Sequence, residues 1–200
     1  MNYDAWRFYL RGRLMQFFHR LPEAEQAYRT ALRHDPNHAR AAHTLGYLCF
    51  RRDDWREAEH WFREALRGQP ENGALWYNLG FLYDQRQRHE EAVAAFGEAV
   101  RYAPRMDTAW YGLGLAQAAL GRHEEARLAF DKAAALQPDN GQIWYQLGMA
   151  HHALGQEEKV TAVVEYLNRF DRRMTRQLIR DAGRADLEHL VADYRPHGEG

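Results

Sequence analysis

The sequence contains few of the features that cross-link, anchor or export a chain. Cys49 is its single cysteine, so no internal disulfide can form. No apolar run approaches the roughly 18 residues of a membrane span. The N-terminal segment contains Arg7, Arg11 and Arg13 where a signal peptide would have an uninterrupted apolar run. We therefore expect a cytoplasmic protein that does not insert into a membrane.

The net charge is also close to zero, and lysine is rare. The formal net charge is −1 at pH 7, so the overall balance provides no attraction to nucleic acid or to an anionic membrane. Lysine occurs only at Lys132 and Lys159, whereas arginine and alanine, which have GC-rich codons, are abundant. This composition is typical of proteins from GC-rich bacterial genomes and predicts a bacterial source.

The common signatures of catalysis and metal binding are missing. The chain has no glycine-rich phosphate loop, and because it contains no serine it has no Gly-x-Ser-x-Gly elbow. No Cys-x2-Cys pair occurs, and the adjacent His151 and His152 do not share one helix face. Cys49 is interpreted as a buried structural thiol. We predict a non-catalytic protein with no cofactor and no metal site.

A period of 34 residues runs through most of the chain. Proline recurs on it at Pro36, Pro70, Pro104 and Pro138. Glycine recurs on the same interval at Gly12, Gly46, Gly80, Gly114 and Gly148, and tryptophan at Trp76, Trp110 and Trp144. Many independent columns share one interval, which indicates an internal structural repeat.

One repeat carries a complete family pattern. Residues 73–106 contain, at the required spacing, Trp76, Leu79, Gly80, Tyr83, Ala92, Phe96 and Pro104. The chain therefore resembles the tetratricopeptide repeat (TPR) family. The register gives five repeats within residues 1–174, of which the last is degenerate: 5–38, 39–72, 73–106, 107–140 and 141–174.

The resemblance implies an all-α fold, a right-handed α-solenoid of helix-turn-helix repeats with C-terminal capping helices. Each repeat has two apolar stripes at helical spacing, separated by a polar turn. In the fourth and fifth repeats, Gly121 and Gly155 are predicted to end the first helix with a positive φ. Gly80 is predicted to lie at a close approach between helices. Capping helices are expected in residues 175–195, divided at Gly183, with a flexible tail at 196–200.

In the family, the first helix of each repeat lines a concave face that contacts the partner. The resemblance predicts a groove formed by Tyr9, Arg13, His43, Tyr47, Phe50, Tyr77, Asn78, Phe81, Asp84, Tyr111, Leu115, Tyr145, Gln146, Met149 and His152. Such a surface is rich in aromatic side chains, which give large contact area at a small entropic cost. We predict a protein-protein interaction module, an adaptor or assembly scaffold, that binds a peptide or helix of a partner protein.

The groove departs from the pattern of family members that bind chaperone tails. Those proteins hold a carboxylate with lysine, arginine and asparagine. Here the fifth position of a repeat is never lysine and the ninth is never asparagine. The nearby cations are Arg13, Arg40 and Arg51, all in the first two repeats. An apolar peptide or a partner helix fits this pattern better.

Two alternative functions remain. Trp6, Phe17 and Phe18 make the N-terminal end aromatic, which favours self-association into homo-oligomers. An acidic partner could instead bind a series of arginines, Arg169, Arg172, Arg173, Arg176 and Arg180. With Arg184, four of the C-terminal arginines are four residues apart and form one stripe if a single helix runs through them. Aromatic residues are sparse among them, which disfavours nucleic acid.

Overall fold

The computed structural model describes residues 2–192, and every regular element in that range is helical. The predicted all-α fold is therefore confirmed. The helices are α1 (Tyr3–Phe17), α2 (Leu21–His34), α3 (Ala39–Phe50), α4 (Trp55–Gly68), α5 (Gly73–Gln85), α6 (His89–Tyr102), α7 (Asp107–Ala119), α8 (His123–Leu136), α9 (Gly141–Ala153), α10 (Glu157–Leu167) and α11 (Arg172–Asp181). A short 3-10 segment follows at Ala185–Val191.

The chain divides into two compact units, Met1–Ala103 and Pro104–Gly200. The N-terminal unit contains three helical hairpins, α1 with α2, α3 with α4 and α5 with α6. The C-terminal unit contains the hairpins α7 with α8 and α9 with α10, followed by α11 and the 3-10 segment. Within each unit, the second helix of one hairpin packs against the first helix of the next.

The glycine column and an aromatic column form the interior of each hairpin in the N-terminal unit. Tyr28, Phe62 and Phe96 are almost fully buried. A Cβ added at Gly80 would lie 2.8 Å from Cδ1 of Phe96, closer than carbon atoms can approach. The close approach expected at Gly80 is thus confirmed, and the ring of Phe96 is the group that requires it.

One backbone conformation ends the first helix of all five hairpins. Gly121 and Gly155 have φ of 74° and 68°, as predicted. The equivalent residues of the first three hairpins are not glycine, yet His19, Asp53 and Gln87 have φ of 57°, 61° and 56°. The left-handed region is strained for residues with a Cβ. The turn geometry of the repeat therefore imposes a positive φ at these three positions, although residues with a Cβ favour a negative φ.

The end of the C-terminal unit differs from a regular repeat. A Cβ at Gly148 would meet Leu178 of α11 at 2.5 Å, so α11 fills the space opposite this glycine. In the fifth repeat the aromatic column holds only Val164, which leaves that space open. The column where earlier repeats have proline holds Arg172, and α11 begins at this residue, inside the interval 141–174.

The rest of the C-terminal end follows the predicted division at Gly183, whose φ is 65°. The 3-10 segment lies just beyond it, and Leu187 and Val191 are buried in the unit's core. Residues 193–195 of the expected cap and the expected tail at 196–200 lie outside the described range. Of the helices described, none is both long and apolar enough to cross a lipid bilayer.

Candidate partner-binding surface

Residues about one repeat apart meet across neighbouring first helices of the N-terminal unit. The amide Nδ2 of Asn78 lies 2.7 Å from Nε2 of His43, joining α5 to α3. The guanidinium of Arg40 lies 5.5 Å from the ring centroid of Trp6, joining α3 to α1. We call the surface formed by α1, α3 and α5 the inner face of the N-terminal unit. It brings together the predicted residues Tyr9, Arg13, His43, Tyr47, Phe50, Tyr77, Asn78, Phe81 and Asp84.

Four of these side chains form an aromatic patch, in which Tyr47 and Phe81 are exposed and Phe50 and Tyr77 are half-buried. Tyr47 is 46% exposed and Phe81 39%, and both are among the most exposed large apolar side chains of the described residues. Phe81 lies 5.6 Å from Phe50 and 6.3 Å from Tyr77 between ring centroids. Contiguous exposed aromatic surface of this kind is typical of binding sites.

Tyr9 does not present its ring to a partner. It is 6% exposed and packs against Trp6, Tyr28 and His38. Its hydroxyl accepts a hydrogen bond from Nη1 of the exposed Arg13 at 3.3 Å. This hydrogen bond raises the pKa of Arg13. Tyr9 is therefore a core residue whose hydroxyl contacts Arg13.

Some polar side chains of the inner face already have partners within the protein. Burial lowers the pKa of His43, which favours the neutral imidazole that can accept from Asn78. Asp84 is half-buried, and its carboxylate lies 3.5 Å from Nδ1 of His89. The surface left for a partner is therefore dominated by the aromatic patch and by arginine.

The predicted groove residues of the C-terminal unit are less accessible. Tyr111, Leu115, Tyr145 and Met149 are half-buried and pack against the unit's core. The hydroxyl of Tyr145 donates to Oδ2 of Asp181 in α11 at 2.8 Å, and burial followed by this contact raises the pKa of Tyr145. Gln146 is half-buried as well, and Nδ1 of His152 lies 3.4 Å from Oε1 of Glu157. The sequence analysis expected a helix capping the last repeat, but not this hydrogen bond to a predicted groove residue.

The expected arginine stripe is interrupted. The helix α11 ends at Asp181, so Arg184 lies beyond it and not on the same helix face. Arg184 instead pairs with Asp186 and Glu157 and donates to Oγ1 of Thr161 at 3.0 Å. Of the predicted patch, Arg172, Arg173 and Arg180 are exposed, Arg176 is half-buried, and Arg169 lies over the ring of Tyr166. The four arginines therefore do not form one stripe, since that required a single helix through all of them and α11 ends before Gly183, where a division was expected.

The N-terminal end has an exposed apolar face that includes the expected Phe17 and Phe18 but not Trp6. Trp6 is half-buried under Arg40 and against His38, so it does not belong to this face. The exposed side chains are Tyr3, Leu10, Leu14, Phe17, Phe18 and Leu21. Leu10 and Leu14 lie on α1, one turn apart.

A hollow on the outer side of the N-terminal unit was missed by the sequence analysis. It measures about 900 Å³, and α2 and α4 provide most of its lining. Leu32 and Trp61 contribute apolar surface, and Glu25 accepts hydrogen bonds from both Arg29 and Arg52. No sequence motif marks this hollow, and none of the predicted groove residues on α3 and α5 lines it.

Cys49 lies in the core of the N-terminal unit. Its side chain is fully buried, with Sγ 3.5 Å from Oε2 of Glu57. Burial and then Glu57 raise the pKa of Cys49 to about 11, so the thiol stays protonated and weakly nucleophilic at neutral pH. In residues 2–192, no group of three histidine, cysteine or acidic side chains is arranged to hold a metal ion.

Hairpins on a 34-residue period, the first four with glycine against an aromatic ring, define a helical-repeat protein. Models of the tetratricopeptide repeat match residues 9–73, 43–100 and 77–141, and a second model matches 129–160. The chain belongs to the tetratricopeptide repeat family.

Solved structures share this fold at low sequence identity. A crystal structure of MamA superposes with a TM-score of 0.75 at 19% identity, covering 94% of this chain and 98% of that one. YrrB, described as a TPR protein with an unusual peptide-binding site, gives 0.79 at 23% identity, with coverages of 90% and 92%. MamA from Desulfovibrio magneticus RS-1 gives 0.72 at 20% identity, with coverages of 90% and 98%. Among curated proteins, none matches the chain.

Proposed function

We propose that this protein is a non-catalytic adaptor or assembly scaffold that binds a peptide or helix of a partner protein on the inner face of its N-terminal unit. The observation that carries the proposal is the aromatic patch, in which Tyr47 and Phe81 remain exposed beside Phe50 and Tyr77. Burying such rings against an apolar side chain would remove them from water, a gain of about 25 cal/mol per Å². On the basis of the composition, we propose that this role is carried out in the cytoplasm of a bacterium.

Family membership supports a protein-interaction role, and the structures most similar to this one include a TPR protein described as binding peptide. The patch lies on the helices that line the binding face in the family. Residues of the C-terminal unit contribute less in this proposal, because Tyr145 is bonded to Asp181 and Met149 packs against the core.

The test is retention of a native partner by matched variants. The purified chain is immobilised, proteins bound from the native host are identified, and Tyr47→Ala with Phe81→Ala is compared with Leu128→Ala. Leu128 is 52% exposed on α8, a helix that does not form part of the inner face. We expect the patch variant to lose the partner and the Leu128 variant to keep it. If the patch variant keeps its fold by circular dichroism and retains every partner, the proposal is wrong.

Self-association is a second candidate, favoured by the exposed side chains of the N-terminal end. Leu10 is 59% exposed, Leu14 52% and Phe17 76% on the first helix of the unit. In the rest of the unit, a first helix is covered by the second helix of the preceding hairpin. Sedimentation velocity at several concentrations distinguishes the candidates: a dimer abolished by Leu10→Gln with Leu14→Gln supports this one, and a monomer throughout excludes it.

A further inference from the structure

We infer that the segment bound on the inner face is acidic as well as apolar, with its carboxylates on the side of α1 and α3. The inference rests on the proposed function, because it concerns the same surface. It adds the charge of the partner and the position of that charge relative to the bulky side chain that occupies the aromatic patch.

Charge is distributed unevenly across the inner face. Arg13 on α1, Arg40 on α3 and Arg51 at the end of α3 are all exposed. Of the carboxylates on these helices, Asp84 on α5 is half-buried and close to His89, and Asp4 on α1 pairs with Arg7 at 3.3 Å. The α1 and α3 side is therefore positive, and a carboxylate brought to it gains attraction without meeting Asp84.

Two of these arginines are held by neutral aromatic groups. Nη1 of Arg13 donates to the hydroxyl of the buried Tyr9, and Arg40 lies over the ring of Trp6. Such contacts fix the direction of a side chain without cancelling its charge. A guanidinium held in this way keeps further N–H groups for a carboxylate, to which it can bind in two-pronged geometry.

The repeat register sets the order of contacts. Arg13, Tyr47 and Phe81 occupy the same position of successive repeats and so form a row across α1, α3 and α5. A carboxylate at Arg13 would thus be nearer along the bound segment to a side chain at Tyr47 than to one at Phe81.

This inference is consistent with the absence of a chaperone-tail clamp. That clamp depends on lysine at the fifth position and asparagine at the ninth position of a repeat, and neither residue occurs at those positions here. Arg13 occupies a ninth position, whereas Arg40 and Arg51 occupy others. These arginines flank the aromatic rings, so they suit side-chain carboxylates next to an apolar anchor.

The test uses three labelled peptides that share a Leu-Phe-Leu core followed by six residues rich in Glu, Gln or Lys. Binding to the full chain is measured by fluorescence anisotropy at low and high salt. We expect the Glu peptide to bind most tightly and the Lys peptide most weakly, by about two- to five-fold per matched charge at low salt and less at high salt. Arg13→Gln with Arg51→Gln reduces the difference between the Glu and Gln peptides, and adding Arg40→Gln removes it.

Arg67→Gln is the matched control, since Arg67 is an exposed arginine on α4 that pairs with Glu64. It should preserve the order of the three peptides. Equal affinities that still depend on Phe81 would overturn the inference and leave the proposed function standing. Binding that depends on neither Phe81 nor the charge of the peptide would overturn both the inference and the proposed function. The same holds if no peptide binds. Loss of the charge preference in the Arg67 variant would show a general effect of net charge and refute the assignment to Arg13 and Arg51.

Discussion

The indole Nε1 of Trp144 donates a hydrogen bond to the carbonyl oxygen of Pro138 at 2.7 Å. The same bond joins Trp110 to Pro104 at 2.9 Å and Trp76 to Pro70 at 2.8 Å. Proline follows the end of each second helix, where carbonyl groups lack helical partners. The tryptophan and proline columns therefore share a period because the indole of one repeat satisfies the carbonyl that precedes it.

This bond predicts different costs for two substitutions of Trp110. Trp110→Phe keeps most of the ring but loses the donor, so the free energy of unfolding should fall by about 1 kcal/mol. Trp110→Ala also removes packing against the core and should cost about 2–4 kcal/mol, less than a fully buried tryptophan, because Trp110 is only half-buried. Urea unfolding followed by circular dichroism measures both. Equal losses for the two variants would contradict a role for the bond.

The positive φ in the turn of each hairpin predicts opposite effects at equivalent positions. Gln87→Gly relieves left-handed strain at φ 56°, so it should stabilise the N-terminal unit by about 0.5–1 kcal/mol after the entropic cost of glycine. Gly121→Ala imposes that strain on the C-terminal unit and should cost about 1–2 kcal/mol. No atom lies within 4 Å of a Cβ at Gly121, so the cost is conformational. Thermal unfolding that shifts both variants in one direction would refute the explanation.

The hairpin of α5 and α6 contains a matched pair of helical glycines. At Gly80 a new Cβ collides with the ring of Phe96, whereas at Gly97 nothing lies within 4 Å. Gly80→Ala should therefore cost about 1–3 kcal/mol by forcing the helices apart. Gly97→Ala should stabilise by about 0.5–1 kcal/mol because alanine favours helix. Chemical denaturation of both variants provides the comparison, and a neutral Gly80→Ala would mean that the two helices can separate freely.

The repeating columns were enough to predict the hairpins, because Gly80 opposite Phe96 and Gly121 in the turn each have one structural reason to recur. Non-repeating features were not predictable in this way. The left-handed conformation of Gln87 is imposed by the repeat and leaves no trace in the residue type. The position of α11 depends on Leu178 entering a space left by Val164, a tertiary relation between two ordinary aliphatic residues.

The candidate site was predictable by position but not by accessibility. Tyr9, Tyr77 and Tyr145 occupy the same repeat position, yet Tyr9 is buried by Trp6 and His38, while Tyr145 is bonded to Asp181. A repeat register assigns each residue to a helix face. It does not show which neighbours, specific to one repeat, will cover that residue.

Cys49 predicts a loss of stability at alkaline pH. Burial, then Glu57, raises the pKa of its thiol from 9.0 to about 11 in the folded chain. The unfolded chain releases this proton near pH 9, whereas the folded chain holds it until about pH 11. The stabilisation is therefore complete below pH 9, falls as the pH rises from 9 to 11, and is absent above that range.

Comparison with Cys49→Ala isolates this contribution, because tyrosines such as Tyr28, whose pKa burial raises to about 12, titrate in both proteins. A two-unit shift corresponds to at most about 2.7 kcal/mol, and relaxation around the thiolate reduces it, so we expect a loss of about 1–2 kcal/mol specific to the parent chain. Urea unfolding at pH 8 and pH 11 measures the difference. Parallel declines in the two proteins would show that the Cys49 thiol ionises with equal ease in the folded and unfolded chains.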